Sequence, residues 1–263
     1  MIDLHCHVLP GIDDGPATIE GSIALARTAL ARGTRTIVAT PHVSWTYSND
    51  SSTVARAVQR TNAALADARV GIEVLPGAEI AITRAVELDD DELAALSLGG
   101  GRWLLIECPF TSVSIGLDGL VVELQERGHR VVLAHPERCP AFLRDPGLLE
   151  SLVLGGALTS ITAGSLVGQF GKTARRYSLG LLEAELVHNV ASDAHDAEQR
   201  PPGIAGELAQ AGYGELTEWL TAAVPSALVA GAEQMPARPA SPASARAAGR
   251  RPWWRRAPLR RAS

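Results

Sequence analysis

The 263-residue chain lacks any run of about 18 or more uncharged apolar residues, which takes a helical membrane span out of consideration. Its first residues carry neither the basic stretch nor the long apolar segment of a secretory signal, so a cytoplasmic location is expected. Cysteine is scarce. Cys6, Cys108 and Cys139 are odd in number and unrelated in spacing, which argues against a disulfide framework and fits a reducing compartment. Phenylalanine is scarce too: three residues in a chain that is 46% hydrophobic. The core must therefore be built of Val, Leu, Ile and Ala, a composition suited to parallel strands buried under helices.

Acidic residues are missing from one region alone. Arg238 to Ser263 holds eight arginines and no acid, so the remainder carries a formal −13 within a net charge of −5. That Pro-, Ala-, Ser- and Arg-rich segment cannot bury a core. The expected organisation is a folded domain over residues 1–235 and a disordered basic tail over 236–263. The tail reads first as solvated chain. A second reading brings Trp253, Trp254 and the surrounding arginines against an anionic membrane surface or an acidic partner. The acidic body makes nucleic acid an unexpected partner, and a homo-oligomer is left open.

What is present is an alternation. Strands are expected at Ile2–Leu4, Arg35–Thr40, Ile72–Leu75, Trp103–Ile106, Arg130–Ala134, Leu158–Thr162 and Val187–Ala191. Helical spacing of apolar residues is expected over 16–32, 52–68, 89–96, 117–127, 147–154 and 172–185, with further helices near 203–211, 215–223 and 225–230. Seven strands, nearly all followed by a helix, predict an α/β protein: a closed or nearly closed TIM-like barrel one unit short, with an open doubly wound sheet as the second choice.

In both architectures function collects at the C-terminal ends of the strands. Six of the seven strands end in a metal-type ligand: His5 and His7, His42, Glu79, Glu107, His135, and Asp193 with His195. His5 and His7, two apart in an extended strand, point to one side, with Cys6 turned away. Asp14 follows a Gly-, Pro- and Asp-rich turn that can bring its carboxylate back beside them. His129 and His188 do not fit the pattern and read as surface and core histidines. Nine nitrogen and oxygen ligands exceed the needs of one ion and suit two or three, with Mn, Fe or Zn favoured over a cysteine–zinc site. With four carboxylates, three dications would leave a net charge of about +2, which attracts a phosphate dianion and acidifies a bridging water into a nucleophile. Arg138 and Arg200 follow His135 and His195 closely and can clamp phosphate oxygens. Their alternative is pairing with Glu137 or Glu198.

The motifs Asp3-Leu4-His5-Cys6-His7, Gly11-Ile12-Asp13-Asp14-Gly15, Thr40-Pro41-His42, Gly77-Ala78-Glu79-Ile80, Leu105-Ile106-Glu107, Ala134-His135-Pro136-Glu137-Arg138 and Ala191-Ser192-Asp193-Ala194-His195 resemble the polymerase and histidinol phosphatase (PHP) superfamily. More narrowly, the chain resembles bacterial manganese-dependent protein-tyrosine phosphatases of capsule and exopolysaccharide biosynthesis. The resemblance implies a distorted (β/α)7 barrel with a three-manganese site. One ion would be held by His5, His7, Glu79 and Asp193, a second by Glu79, Glu107 and His135, and a third by Asp14, His42 and His195. It also implies arginine assistance from Arg138 and Arg200, and a substrate in the tyrosine-rich tail of a polysaccharide-export kinase. The cysteine route to the same reaction is closed. It needs an arginine six positions after the nucleophile, and Ile12, Ser114 and Asp145 stand there. The rival readings are a phosphatase of small molecules such as histidinol phosphate, and a non-catalytic scaffold that keeps the barrel.

Overall fold

Short runs of Val, Ile, Leu and Ala form the strands, and most of their residues are buried. In the computed structural model, which describes residues 1–110, 116–240 and 254, these are β1 (Ile2–Cys6), β2 (Thr36–Ala39), β3 (His42–Val43), β4 (Glu73–Leu75), β5 (Glu79–Ala81), β6 (Trp103–Glu107), β7 (Arg130–Ala134), β8 (Leu158–Thr162) and β9 (Asn189–Ala191). They pair in the orders β1-β2-β4 and β3-β5-β6-β7-β8-β9. Every pairing is parallel.

Nine strands stand where seven are expected, because two of the seven are broken. β3 resumes the line of β2 after Pro41, and β5 resumes that of β4 after Pro76-Gly77. Proline has no N–H to give a ladder and restricts the residue before it. At Gly77 a Cβ would lie 2.7 Å from Val38 Cγ1 and 3.3 Å from the Ala39 carbonyl oxygen, so no side chain fits. The line holds across the break: Thr40 N–H donates to Cys6 O at 3.0 Å, and Glu79 N–H to Pro41 O at 3.1 Å.

The last strand meets the first. Asp193 N–H donates to His5 O at 2.8 Å, and His7 N–H to Ala194 O at 2.9 Å. Asp3, wholly buried, accepts from the Ser192 N–H (3.0 Å) and hydroxyl (2.5 Å) across the same seam. The result is a distorted barrel of seven staves. The register of β1 against β2 slips between Asp3 and Cys6, a bulge beside the histidine pair.

Local chemistry sets the helix ends. The first helix begins at Ile19 and not at Pro16, because the Thr18 side chain caps it by accepting from Gly21 N–H. Asp50 and Asp89 cap the helices Ser51–Asp67 and Asp90–Ala95 in the same way. Near the C-terminus the expected helix over 215–223 is instead a 3-10 turn (Gly214–Leu216) and a π turn (Trp219–Ala223) leading into Val224–Val229. Among the described residues no helix is long and apolar enough to cross a membrane.

The described part of the basic segment lies on the body. Trp219 Nε1 donates to Pro236 O at 3.0 Å, and Arg238 donates to the carbonyls of Val187 and Leu182 at 3.3 Å each. Trp254 meets Tyr177 edge-on, with ring centres 5.5 Å apart. The expected contacts of Trp253 and of Arg250, Arg251, Arg255 and Arg256 lie outside the described residues.

Candidate metal centre

All nine expected ligands gather at one end of the barrel, around the buried Glu79. His42 and Glu79 are register partners on β3 and β5, so the two strand breaks set them side by side. Glu107 pairs with Ala81, two residues further along β5 than Glu79. His135 and Asp193 stand just past β7 and β9 with left-handed backbones (φ 30° and 52°). A non-glycine residue adopts that conformation at a cost, and such residues cluster where the surroundings demand a particular side-chain direction.

These side chains lie close enough together to share ions. Glu79 Oε1 lies 2.6 Å from His135 Nε2, and Glu79 Oε2 lies 3.2–3.4 Å from His5 Nε2, His42 Nδ1 and His7 Nε2. Asp193 Oδ1 faces His5 and His7 at 3.6 Å each. Asp14 Oδ1 lies 3.3 Å from His195 Nε2 and 3.5 Å from His42 Nε2. Four overlapping groups have ligand atoms within 4.8 Å of one another: His7, Asp14, His42 and His195; His5, His7 and Asp193; His5, Glu79 and His135; and His42, Glu79 and Glu107.

The electrostatics fit a divalent cation. Burial alone would protonate Glu79, yet the imidazoles of His5 and His135 hold its pKa well below the usual carboxylate range. Asp193 is lowered against the same burial by His5, His7 and Arg138. For Glu107 such help falls short, because Arg138 and His7 lower its pKa by less than its surroundings raise it. Burial and the neighbouring Glu79 charge push it up to about 8, so at neutral pH its anion needs a positive charge at this spot. Five imidazoles and four carboxylates, with no thiolate among them, are a donor set for Mn, Fe or Zn. Cys6 is buried with its thiol toward Ala194 O at 3.8 Å, away from the cluster.

The arginines do not take the alternative partners, Glu137 and Glu198. Arg138 forms an ion pair with Asp193, and Arg200 reaches the same Asp193 Oδ2 at 2.9 Å and the Asp193 carbonyl at 3.1 Å. Glu137 is occupied elsewhere: its Oε1 accepts from Thr162 N–H (3.0 Å) and the Ser165 hydroxyl (2.6 Å). It thereby ties down the end of β8, the one stave without an expected metal ligand. Phe170 lies beneath both guanidinium groups, 4.5 Å from Arg138 and 5.7 Å from Arg200. His129 sits beside Asp90 at 3.1 Å, and His188 accepts from Thr159 N–H at 3.2 Å, both apart from the centre.

One supporting residue escapes the strand-end pattern. Asp13 Oδ2 lies 2.8 Å from His7 Nδ1 and accepts from His42 N–H at 3.2 Å, while its Oδ1 accepts from Gly15 N–H at 2.9 Å. Asp13 faces Nδ1 and so leaves Nε2 turned toward the cluster. Burial disfavours a charged His7, but hydrogen bonds to Asp13, Asp193 and Glu79 outweigh it and raise its pKa well above the ordinary value.

The chain is similar to known proteins. YwqE of Bacillus subtilis, a tyrosine-protein phosphatase, is 44% identical over 201 residues, covering 76% of this chain and 79% of YwqE. CapC of Staphylococcus aureus, a putative tyrosine-protein phosphatase, is 37% identical over 202 residues, covering 76% and 79%. A chain from the crystal structures of YwqE and of Streptococcus pneumoniae CpsB, described as unique metal-dependent tyrosine phosphatases, superposes with a TM-score of 0.80 at 38% identity, covering 88% of this chain and 95% of that one. The family described as capsular polysaccharide synthesis, CpsB/CapC, matches residues 1–215, and the chain belongs to that family.

Proposed function

We propose that the protein is a manganese-dependent protein-tyrosine phosphatase acting on a tyrosine kinase of capsular or exopolysaccharide biosynthesis. The observation that carries this reading is the convergence of eight N/O side chains, all but Asp14 buried or half-buried, on the buried Glu79, with two arginines held at their edge on Asp193. The names of its relatives support the substrate class. The ions would be held by His5, His7, Glu79 and Asp193; by Glu79, Glu107 and His135; and by Asp14, His42 and His195. When bound they supply electrophilic charge at the phosphoryl oxygens and lower the pKa of water.

The chain's own groups do the rest. Arg138 and Arg200 reach the cavity from one side, and a phosphate entering it offers their planar forks a second acceptor beside Asp193. Asp13 faces Nδ1 of His7 and leaves Nε2 turned inward, and Glu137 anchors the Thr162–Ser165 turn beside Arg138. The tyrosine phenol has a pKa of about 10, so the departing oxygen needs less help from an acid than a serine alkoxide does. The three cysteines are free and buried, which suits the cytoplasm. We divide the chain into a catalytic body over 1–235 and a basic tail over 236–263.

The test compares a phosphotyrosine peptide with histidinol phosphate, with manganese and with a chelator. Turnover of the peptide that requires manganese is expected. A preference for histidinol phosphate would overturn the substrate assignment, and unchanged turnover in excess chelator would overturn the metal.

A further inference from the structure

The cavity at the centre has a volume of about 150 Å3, and among the described residues it is lined by ionic and imidazole side chains with a single exception. That exception is Phe110, which follows β6 and leaves 52% of its surface exposed. Its ring stacks on His135 (centres 5.5 Å apart, 22° between planes) and lies 5.5 Å from the Arg138 guanidinium. Among the described residues Phe110 and Trp45 are the exposed aromatic side chains, and of the two only Phe110 lines the cavity. Other aromatic residues nearby have different work. Phe170 is the closer ring to Arg138 and also underlies Arg200, so it already supports the arginine pair. Tyr47 stacks on His42, and Trp45 lies beneath Arg84; neither lines the cavity.

A cavity this small takes the phosphoryl group and leaves the organic part of the ester at the mouth, where Phe110 is the one apolar side chain among the described residues that line it. We propose that Phe110 is the specificity-determining residue of the site: its ring packs against the aromatic ring of an aryl phosphate and so selects aryl over alkyl monoesters. This deepens, and rests on, the phosphotyrosine reading. Stacked or edge-on aromatic pairs gain more than their buried area alone, and an alkyl ester cannot make such a pair.

The experiment uses the full chain loaded with manganese, as wild type, Phe110→Ala and Phe110→Trp. Turnover is measured on a phosphotyrosine peptide and on the same peptide bearing phosphoserine. Binding of phenylphosphonate and methylphosphonate is measured by calorimetry. In Phe110→Ala the phosphotyrosine-to-phosphoserine ratio of kcat/KM is expected to fall about tenfold, mainly through KM, and the preference for phenylphosphonate to fall with it. Phe110→Trp should keep both. Equal losses on both peptides, or a ratio unchanged in Phe110→Ala, would overturn the role of Phe110 and leave the phosphatase reading standing. A wild-type chain that turns over neither peptide would overturn that reading itself, and the two phosphonates would still decide whether Phe110 selects aryl groups.

Discussion

On one side of the barrel, β2 and β4 stop short and resume as β3 and β5, with Pro41 and Pro76-Gly77 at the joints. On the other, β6, β7 and β9 run unbroken to the rim, and the backbone turns left-handed just beyond two of them, at His135 and Asp193. Both devices deliver ligands to the same carboxylate cluster, yet they place the irregularity differently. The first moves a stretch of strand and carries His42 and Glu79 along in register. The second leaves the strand regular and turns single residues. An uninterrupted parallel strand alternates its side chains between two faces. Gathering nine candidate ligands at one mouth therefore takes local departures from regular geometry, and this chain uses both kinds.

The sharpest way to break the comparison is to remove a ligand from the turned side. Asp193→Ala or His135→Ala is expected to lower kcat by on the order of 10²–10³-fold or more, with far-UV circular dichroism unchanged. Retention of full activity in either would show that the left-handed residues serve the backbone alone. At the opposite end of the same stave His188 offers a control. Burial and the Arg238 charge hold its pKa at about 4, below the ordinary 6.5. The unfolded chain therefore takes up this proton first as pH falls. The contribution to stability is complete above about 6.5 and is lost between 6.5 and 4, amounting to about 3 kcal/mol. His188→Asn keeps an acceptor for Thr159 N–H and should flatten that part of the stability–pH curve in urea titrations. An unchanged slope would contradict the assignment.

On the broken side, Gly77→Ala should cost about 1–3 kcal/mol, because its Cβ meets Val38 and the Ala39 carbonyl at the joint. Thermal unfolding measures this, and a loss of metal affinity in the same variant would show that the break also aims Glu79. The smallest effect is expected from Asp13→Asn, which keeps the shape beside His7 but weakens the acceptor. Metal affinity should fall about 10–100-fold by calorimetric titration, with stability nearly unchanged.

Much of this was legible in the order of residues. The β–α alternation, the seven staves and the strand-end positions of His5, His7, His42, Glu79, Glu107, His135, Asp193 and His195 follow from composition and spacing along the chain. What the sequence hid are relations through space. The arginines pair with Asp193, distant in the chain from Arg138, and not with the adjacent Glu137 or nearby Glu198. Two neighbouring acids divide their work, Asp13 facing the back of His7 and Asp14 facing His42 and His195, and nothing local distinguishes them. Thr18 outcompeted Pro16 as a helix start because a side-chain acceptor satisfies a free N–H, which proline only avoids. Phe110 stands out only once the cavity around it is seen to be otherwise ionic.

The seam between β1 and β9 has a consequence for how the protein matures. Cys6 and Ala194 meet across 188 positions of chain, and His5, His7 and Asp193 become neighbours only when that contact forms. Such long-range closure is entropically expensive and slow, and during synthesis it must wait until the last stave has left the ribosome. A cation that binds this trio rewards only the finished ring, so metal supply would govern how long each newly made molecule stays closed.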